Sequence, residues 1–207
     1  MDKLIVKRFS WKNHSELVKK FHEDIILSNI GPEHLSREAY LQLLRSSEKN
    51  GLPAYMRTLK AAYEKGKDGM FIWELKGKIV GWSWLRIYEN EFFKEGAYGE
   101  INEIYIVPEW RGKGIGNILM KHAEDWFRNK GIKTVRVEAL ATNEKALAFY
   151  RKHGFKPNYI TLQKEISNIQ KDDNSKTYHE LSEKKVLKEH MQRESKQNGV
   201  FLSTVKR

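Results

Sequence analysis

Val107-Pro108-Glu109-Trp110-Arg111-Gly112-Lys113-Gly114-Ile115-Gly116-Asn117 joins the end of an apolar strand to the start of a helix through a glycine-rich turn. At such a junction, backbone N–H groups without helical partners converge at the positive end of the helix dipole. They make an anion site, and a pyrophosphate is its usual occupant. Glycine suits the turn because a side chain would hold the phosphate away and because positive φ is needed there. A nucleotide-binding P-loop requires Gly-Lys followed by Ser or Thr, whereas Lys113 is followed by Gly114 and Ile115. The dinucleotide fingerprint requires G-x-G-x-x-G. After Gly112 and Gly114 its third position holds Asn117, with Gly116 one place early. Both versions fail, which leaves Arg-Gly-x-Gly-Ile-Gly.

Working outward, a strand over Ile101–Val107 enters this loop, and a helix from Ile115 to about Lys130 leaves it. A strand over Thr134–Ala139, a helix over Glu144–Lys152 and a strand from about Tyr159 to Ile166 follow. Gly131 and Gly154 sit where helices end. Upstream, Met70–Leu75 and Ile79–Tyr88 are aromatic and β-branched, and Lys76-Gly77-Lys78 joins them as a hairpin. Gly81 inside the second arm marks a bulge or a close backbone contact. Trp82 and Trp84 share one face of that arm, as core or cleft wall. Leu4–Arg8 reads as a first strand. Leu17, Val18, Phe21, Ile25 and Ile26 then recur at helical spacing up to the break at Gly31-Pro32. Two more helices are expected near Arg37–Ser47 and Ala54–Glu64. The order of elements is that of a mixed α/β fold.

The 207 residues suffice for one domain and an appendage, and 40% apolar content can fill one core. No cysteine is present, which excludes disulfides, thiolate metal sites and cysteine nucleophiles. The longest apolar runs fall far short of the ~20 residues that span a bilayer. The first eight residues lack the features of a signal peptide, so a cytoplasmic location is expected. The net charge is +11, yet lysines and arginines are interspersed with acids, as from Glu33 to Lys49. That is a solvated positive surface favouring an anionic ligand rather than a basic tract for nucleic acid. His122, His153 and His179 show no ligand spacing with a carboxylate, His122 and His153 fall on surface-like helix positions, and no metal is expected.

Arg111-Gly112-Lys113-Gly114-Ile115-Gly116 fills every fixed position of Arg/Gln-x-x-Gly-x-Gly/Ala, and in this the sequence resembles the GNAT superfamily of acetyltransferases. Ile104–Pro108 looks like the family's strand before the loop, and Asn143–Phe155 looks like its second cofactor segment. The resemblance is good over about residues 70–165, loose over 1–27 and slight over 28–69 and 167–207. It implies an α/β fold with a mixed, mostly antiparallel sheet, splayed at its centre and covered by helices on both faces. Residues 1–166 would form the acetyltransferase domain, with 28–69 a helical insertion serving as a substrate lid. Residues 167–207 read as a polar linker (Lys171–Lys176) and a C-terminal helical extension, roughly Tyr178–Glu194.

The same resemblance implies an N-acetyltransferase that moves acetyl from acetyl-CoA to a primary amine of a small molecule or peptide by direct attack. The co-substrate's pantetheine arm would bond the backbone of Ile106 and Val107, and Pro108, lacking an N–H, would end that ladder. Backbone amides of Arg111, Gly112, Lys113, Gly114, Ile115, Gly116 and Asn117 would hold the pyrophosphate. The Val107 N–H would stabilise the oxyanion. Asn143 would bond the pantetheine amide and Tyr150 would protonate the leaving sulfur, the two lying seven residues apart on one helix face. Asn143 also sits where an N-cap belongs, and Tyr150 where a packing residue would. Glu103, on the strand face of Tyr105 and Val107, is the candidate base for the amine, directly or through water; Glu100 is the reserve, on the other face if the strand is regular. A non-catalytic acyl-CoA-binding module and a nucleic-acid-associated protein are the competing classes. No membrane partner is expected, and a homodimer is left open.

Overall fold

The computed structural model describes residues 3–30, 36–89, 92, 96–162 and 164. Met1–Pro157 form one compact unit. Its elements are β1 (Ile5–Arg8), α1 (Trp11–Leu27), α2 (Arg37–Ser46), α3 (Leu52–Lys65), β2 (Gly69–Leu75), β3 (Lys78–Glu89) and β4 (Ala97–Ile106). A 3-10 turn (Pro108–Trp110), α4 (Ile115–Asn129), β5 (Val135–Val137) and α5 (Glu144–Lys152) follow. The five strands lie in sequence order, antiparallel from β1 to β4 and parallel between β4 and β5.

The hairpin turns on Lys76 and Gly77, both at positive φ (52° and 72°), with Leu75 opposite Lys78. Two positive-φ residues match the right-handed strand twist. Gly81 meets both expectations placed on it. The β2–β3 register slips beside it, with Trp73 opposite Gly81 and Glu74 opposite Ile79, and a Cβ at Gly81 would stand 2.9 Å from the Tyr105 carbonyl oxygen.

Helices cover both faces of the sheet. One core gathers Val18 and Phe21 of α1 and Leu59 and Ala62 of α3 with Ile72, Trp82, Trp84 and Tyr105 of the strands. The other gathers Ile115, Leu119, Met120, Ala123 and Phe127 of α4 with Phe71, Trp73, Val80, Leu85 and Ile101. Trp82 and Trp84 are fully buried on the α1 side, as core residues. α5 packs on the α4 side through Phe149 and Tyr150.

Two irregularities in β4 shape the site. Trp84 faces Glu103 while Leu85 faces Ile101, so Asn102 is an extra residue, a bulge. The bulge reverses the alternation: Ile101 enters the α4-side core, whereas Glu103 and Tyr105 face α1 and α3. Second, β5 pairs with β4 only from Gly99 to Ile101, and Asn102–Ile106 run on beside β3 alone. The sheet therefore opens between β4 and β5.

Residues 158–162 and 164 carry no helix or strand. Tyr159, Ile160 and Leu162, whose pattern suggested a strand, are 82%, 78% and 89% exposed. Alternation reports a propensity, and a strand also needs a neighbour to pair with. The linker and helix expected between 167 and 207 lie outside the described residues, as does His179. No helix among the described residues is long and apolar enough to cross a membrane.

Candidate active site

Gly112 and Gly114 both adopt positive φ (76° and 80°), and a Cβ on either would meet nothing within 4 Å. Conformation, rather than space, requires glycine there. Gly114 is the N-cap of α4. It offers no side-chain oxygen to the first turn, which contains no acidic residue. The N–H groups of Ile115 and Gly116 precede the first intrahelical bonds and are left for an external acceptor. Beside the loop, the Lys113 Nζ lies 4.6 Å from the Trp110 ring centroid. Gly116 brings α4 against α5: a Cβ there would stand 3.1 Å from the Phe149 ring, and His153 bonds Asn117 across the same junction at 3.0 Å. The chain's own residues thus form an uncapped amide cradle at a helix N-terminus, suited to a diphosphate.

A model of the acetyltransferase (GNAT) family matches residues 37–155, more than half of the chain. The chain belongs to this family. An uncharacterized N-acetyltransferase of Methanocaldococcus jannaschii is 31% identical over 102 residues, 47% of this chain and 43% of that protein. Another, of Archaeoglobus fulgidus, is 33% identical over 91 residues, 42% of this chain and 58% of that protein. The matched stretch thus spans about half the length of these relatives. Among solved structures, a GCN5-related N-acetyltransferase from Ralstonia eutropha superposes with a TM-score of 0.62 at 19% identity, covering 80% of this chain and all of that one. A predicted acetyltransferase from Clostridium acetobutylicum, solved with acetyl-CoA, gives 0.56 at 17% identity, covering 81% and 99%. At these identities the likeness is one of fold.

The GNAT gap between β4 and β5 is lined by alternate peptides of β4. The Val107 N–H donates to the Val80 carbonyl at 3.0 Å, so it is turned toward β3. By alternation the Ile106 peptide faces the gap, and its carbonyl accepts from Arg111 Nε at 2.8 Å. This corrects the expectation for Val107: its N–H is already bonded in the sheet, and Ile106 is the residue that presents a main-chain donor to the gap. Arg111, whose guanidinium lies 5.4 Å from the Tyr105 ring centroid, folds back onto the strand end.

Asn143 caps α5, its Oδ1 accepting from the Ala146 N–H at 3.1 Å, while its Nδ2 donates to Asn29 Oδ1 at 3.0 Å. The helix α5 is thereby tied to the end of α1. Tyr150 packs edge-on against Phe149 and Phe155. Burial raises its pKa, so the hydroxyl keeps its proton beyond the ordinary tyrosine range.

Glu103 is buried, 8% exposed. Trp82 Nε1 donates to its Oε2 at 2.8 Å, the Tyr55 hydroxyl donates to the same oxygen at 3.0 Å, and His22 Nδ1 lies 2.6 Å from Oε1. Burial and the Glu103 charge raise the Tyr55 pKa, which keeps that hydroxyl a donor. The bulge also changes the reserve: Arg86 and Trp84 are two apart on β3 and face Glu100 and Glu103, so both acids lie on one face. Burial and neighbouring Glu138 raise the Glu100 pKa, against the opposing pull of Arg86 and Arg136.

No motif in the sequence singles out His22, Tyr55 or Asn29. Only His22 carries a local signal, a polar side chain on the helical stripe of Val18 and Ile25. His122 and His153 are both half-buried. His122 is wedged edge-on against Phe71 and Trp73, and His153 lies half-buried against Phe149. Among the described residues no group of three His, Asp or Glu could hold a metal.

Proposed function

We propose that this chain is an N-acetyltransferase that uses acetyl-CoA and acetylates a primary amine of a small molecule or peptide. The uncapped N-terminus of α4, preceded by two positive-φ glycines and set beside the open edge of β4, carries this reading. The amides of the Arg111–Asn117 loop would hold the pyrophosphate. Ile106 would bond the pantetheine arm in the gap as an added strand does, with Asn143 beside it. Bound there, acetyl-CoA supplies the activated thioester. Tyr150 keeps a proton to give to the departing sulfur, and Glu103 lies on the acceptor side of the sheet to direct proton removal from the amine.

Calorimetry with coenzyme A and acetyl-CoA, and thiol release against a panel of amines, tests the proposal. Binding with amine-dependent thiol release is expected. Binding without release from any amine would point instead to an acyl-CoA-binding module, and no binding would end both readings.

A further inference from the structure

We propose that His22, held by Glu103, takes the proton from the incoming acceptor amine, which makes Glu103 a positioning residue. The inference rests on the acetyl-transfer reading and adds a catalytic residue to it. The side chain of Glu103 is 6% exposed and all its observed partners are donors or His22; that of His22 is 18% exposed. Trp82 Nε1–H can only donate, and with the Tyr55 hydroxyl it occupies Oε2. Oε1 is left for the His22 Nδ1–H, a bond that assigns the tautomer and leaves the Nε2 lone pair unshared. Nε2 has no hydrogen-bond partner among the described residues, and the His22 side chain is partly exposed. The Tyr55 ring stacks on the imidazole at 3.6 Å and 6° and fixes its plane. Strand, helix α1 and helix α3 together hold one proton acceptor.

Asn29, two residues past the end of α1, bonds Asn143, the N-cap of α5. The helix bearing His22 is thus tied to the helix bearing the proposed acid.

The proton count closes. An ammonium acceptor gives one proton to Nε2, directly or through water. The freed nitrogen lone pair forms the N–C bond as the carbonyl electrons move to oxygen. When that oxyanion collapses, the C–S bond breaks. Tyr150 delivers a proton to the departing sulfur, the surplus proton on nitrogen passes to the Tyr150 phenolate, directly or through water, and His22 releases its proton to water. Among the described residues, the titratable groups facing His22 are Glu103 from β4 and Tyr55 from α3; on its own helix, Glu23 bonds Arg45 and Asp24 accepts from Tyr105.

The test compares kcat/KM against pH for the wild type, His22→Gln and Glu103→Gln, with acetyl-CoA calorimetry on each. His22→Gln is expected to lower kcat about 10²- to 10³-fold, to abolish the acidic limb and to leave acetyl-CoA affinity unchanged. In His22→Ala, added imidazole is expected to restore part of the rate, which a folding defect would not permit. An acidic limb that persists in His22→Gln but disappears in Glu103→Gln would assign the proton to Glu103 and overturn the proposal. So would an unchanged rate and profile in His22→Gln. A wild type that binds acetyl-CoA and acetylates no amine would overturn the acetyl-transfer reading, and this inference with it.

Discussion

Trp82 Nε1 donates to Glu103 Oε2 at 2.8 Å beneath α1, and both side chains are buried. A buried carboxylate depends on its donors, because water cannot replace one that is removed. Trp82→Phe should therefore cost about 2 to 4 kcal/mol, part from the lost donor and part from the smaller ring. Urea unfolding measures this directly. A cost under about 0.5 kcal/mol would mean that the indole N–H does not help to hold the acid.

Gly114→Ala places a Cβ on a residue at φ 80°, where the surroundings are open and only the backbone resists. Left-handed backbone costs a non-glycine residue about 1 to 2 kcal/mol. If the loop relaxes to escape it, its amides leave the cradle, and acetyl-CoA affinity should fall about tenfold, which is about 1.4 kcal/mol. Gly116→Ala acts differently: it presses on Phe149 at 3.1 Å, so α5 should shift and the loss should be larger in kcat than in binding. Equal effects of the two substitutions on affinity and rate would contradict this division.

The strand–glycine loop–helix order was legible because period and turn chemistry are local. The amide cradle could be read from Arg111–Asn117 alone. The β4 bulge at Asn102 was not, since it shows only in the pairing with Trp84 and Leu85, yet it decides which face Glu100 takes. The surroundings of Glu103 were hidden for a related reason. Its partners His22, Tyr55 and Trp82 are 81, 48 and 21 residues away, and no local pattern links them. Val107 shows the limit of analogy: its N–H is a free donor by resemblance and a bonded one beside Val80.

Tyr150→Phe removes the proposed proton donor while keeping the ring that packs on Phe149 and Phe155. Acetyl-CoA binding should hold, and kcat should drop about 10²-fold or more. Because burial raises the hydroxyl pKa, the wild-type rate should show no loss from Tyr150 ionisation below about pH 10, the ordinary tyrosine value. A basic limb below that value that vanishes in Tyr150→Phe would mean that the hydroxyl ionises more readily than its burial implies, and an unchanged kcat in Tyr150→Phe would refute the assignment.

His122 lies edge-on to Phe71 and Trp73, with centroids 4.5 and 4.9 Å away, and its Nδ1 is buried without a hydrogen-bond partner. Burial lowers its pKa, the positive Arg8 adds to this, and Asp125 opposes it. The folded pKa is then below that of the unfolded chain, about 6.5 for histidine. As pH falls through that value the unfolded chain takes up a proton that the folded one refuses, so folding stability declines toward acid. His122→Phe keeps an aromatic edge in the slot and removes the titration, so unfolding free energies measured from pH 7.5 to 5 should slope less steeply than in the wild type. Some slope should remain, because burial and Lys7 lower the pKa of His14 in the same direction. An identical slope in His122→Phe would mean that this imidazole is protonated in the folded protein as readily as in the unfolded chain.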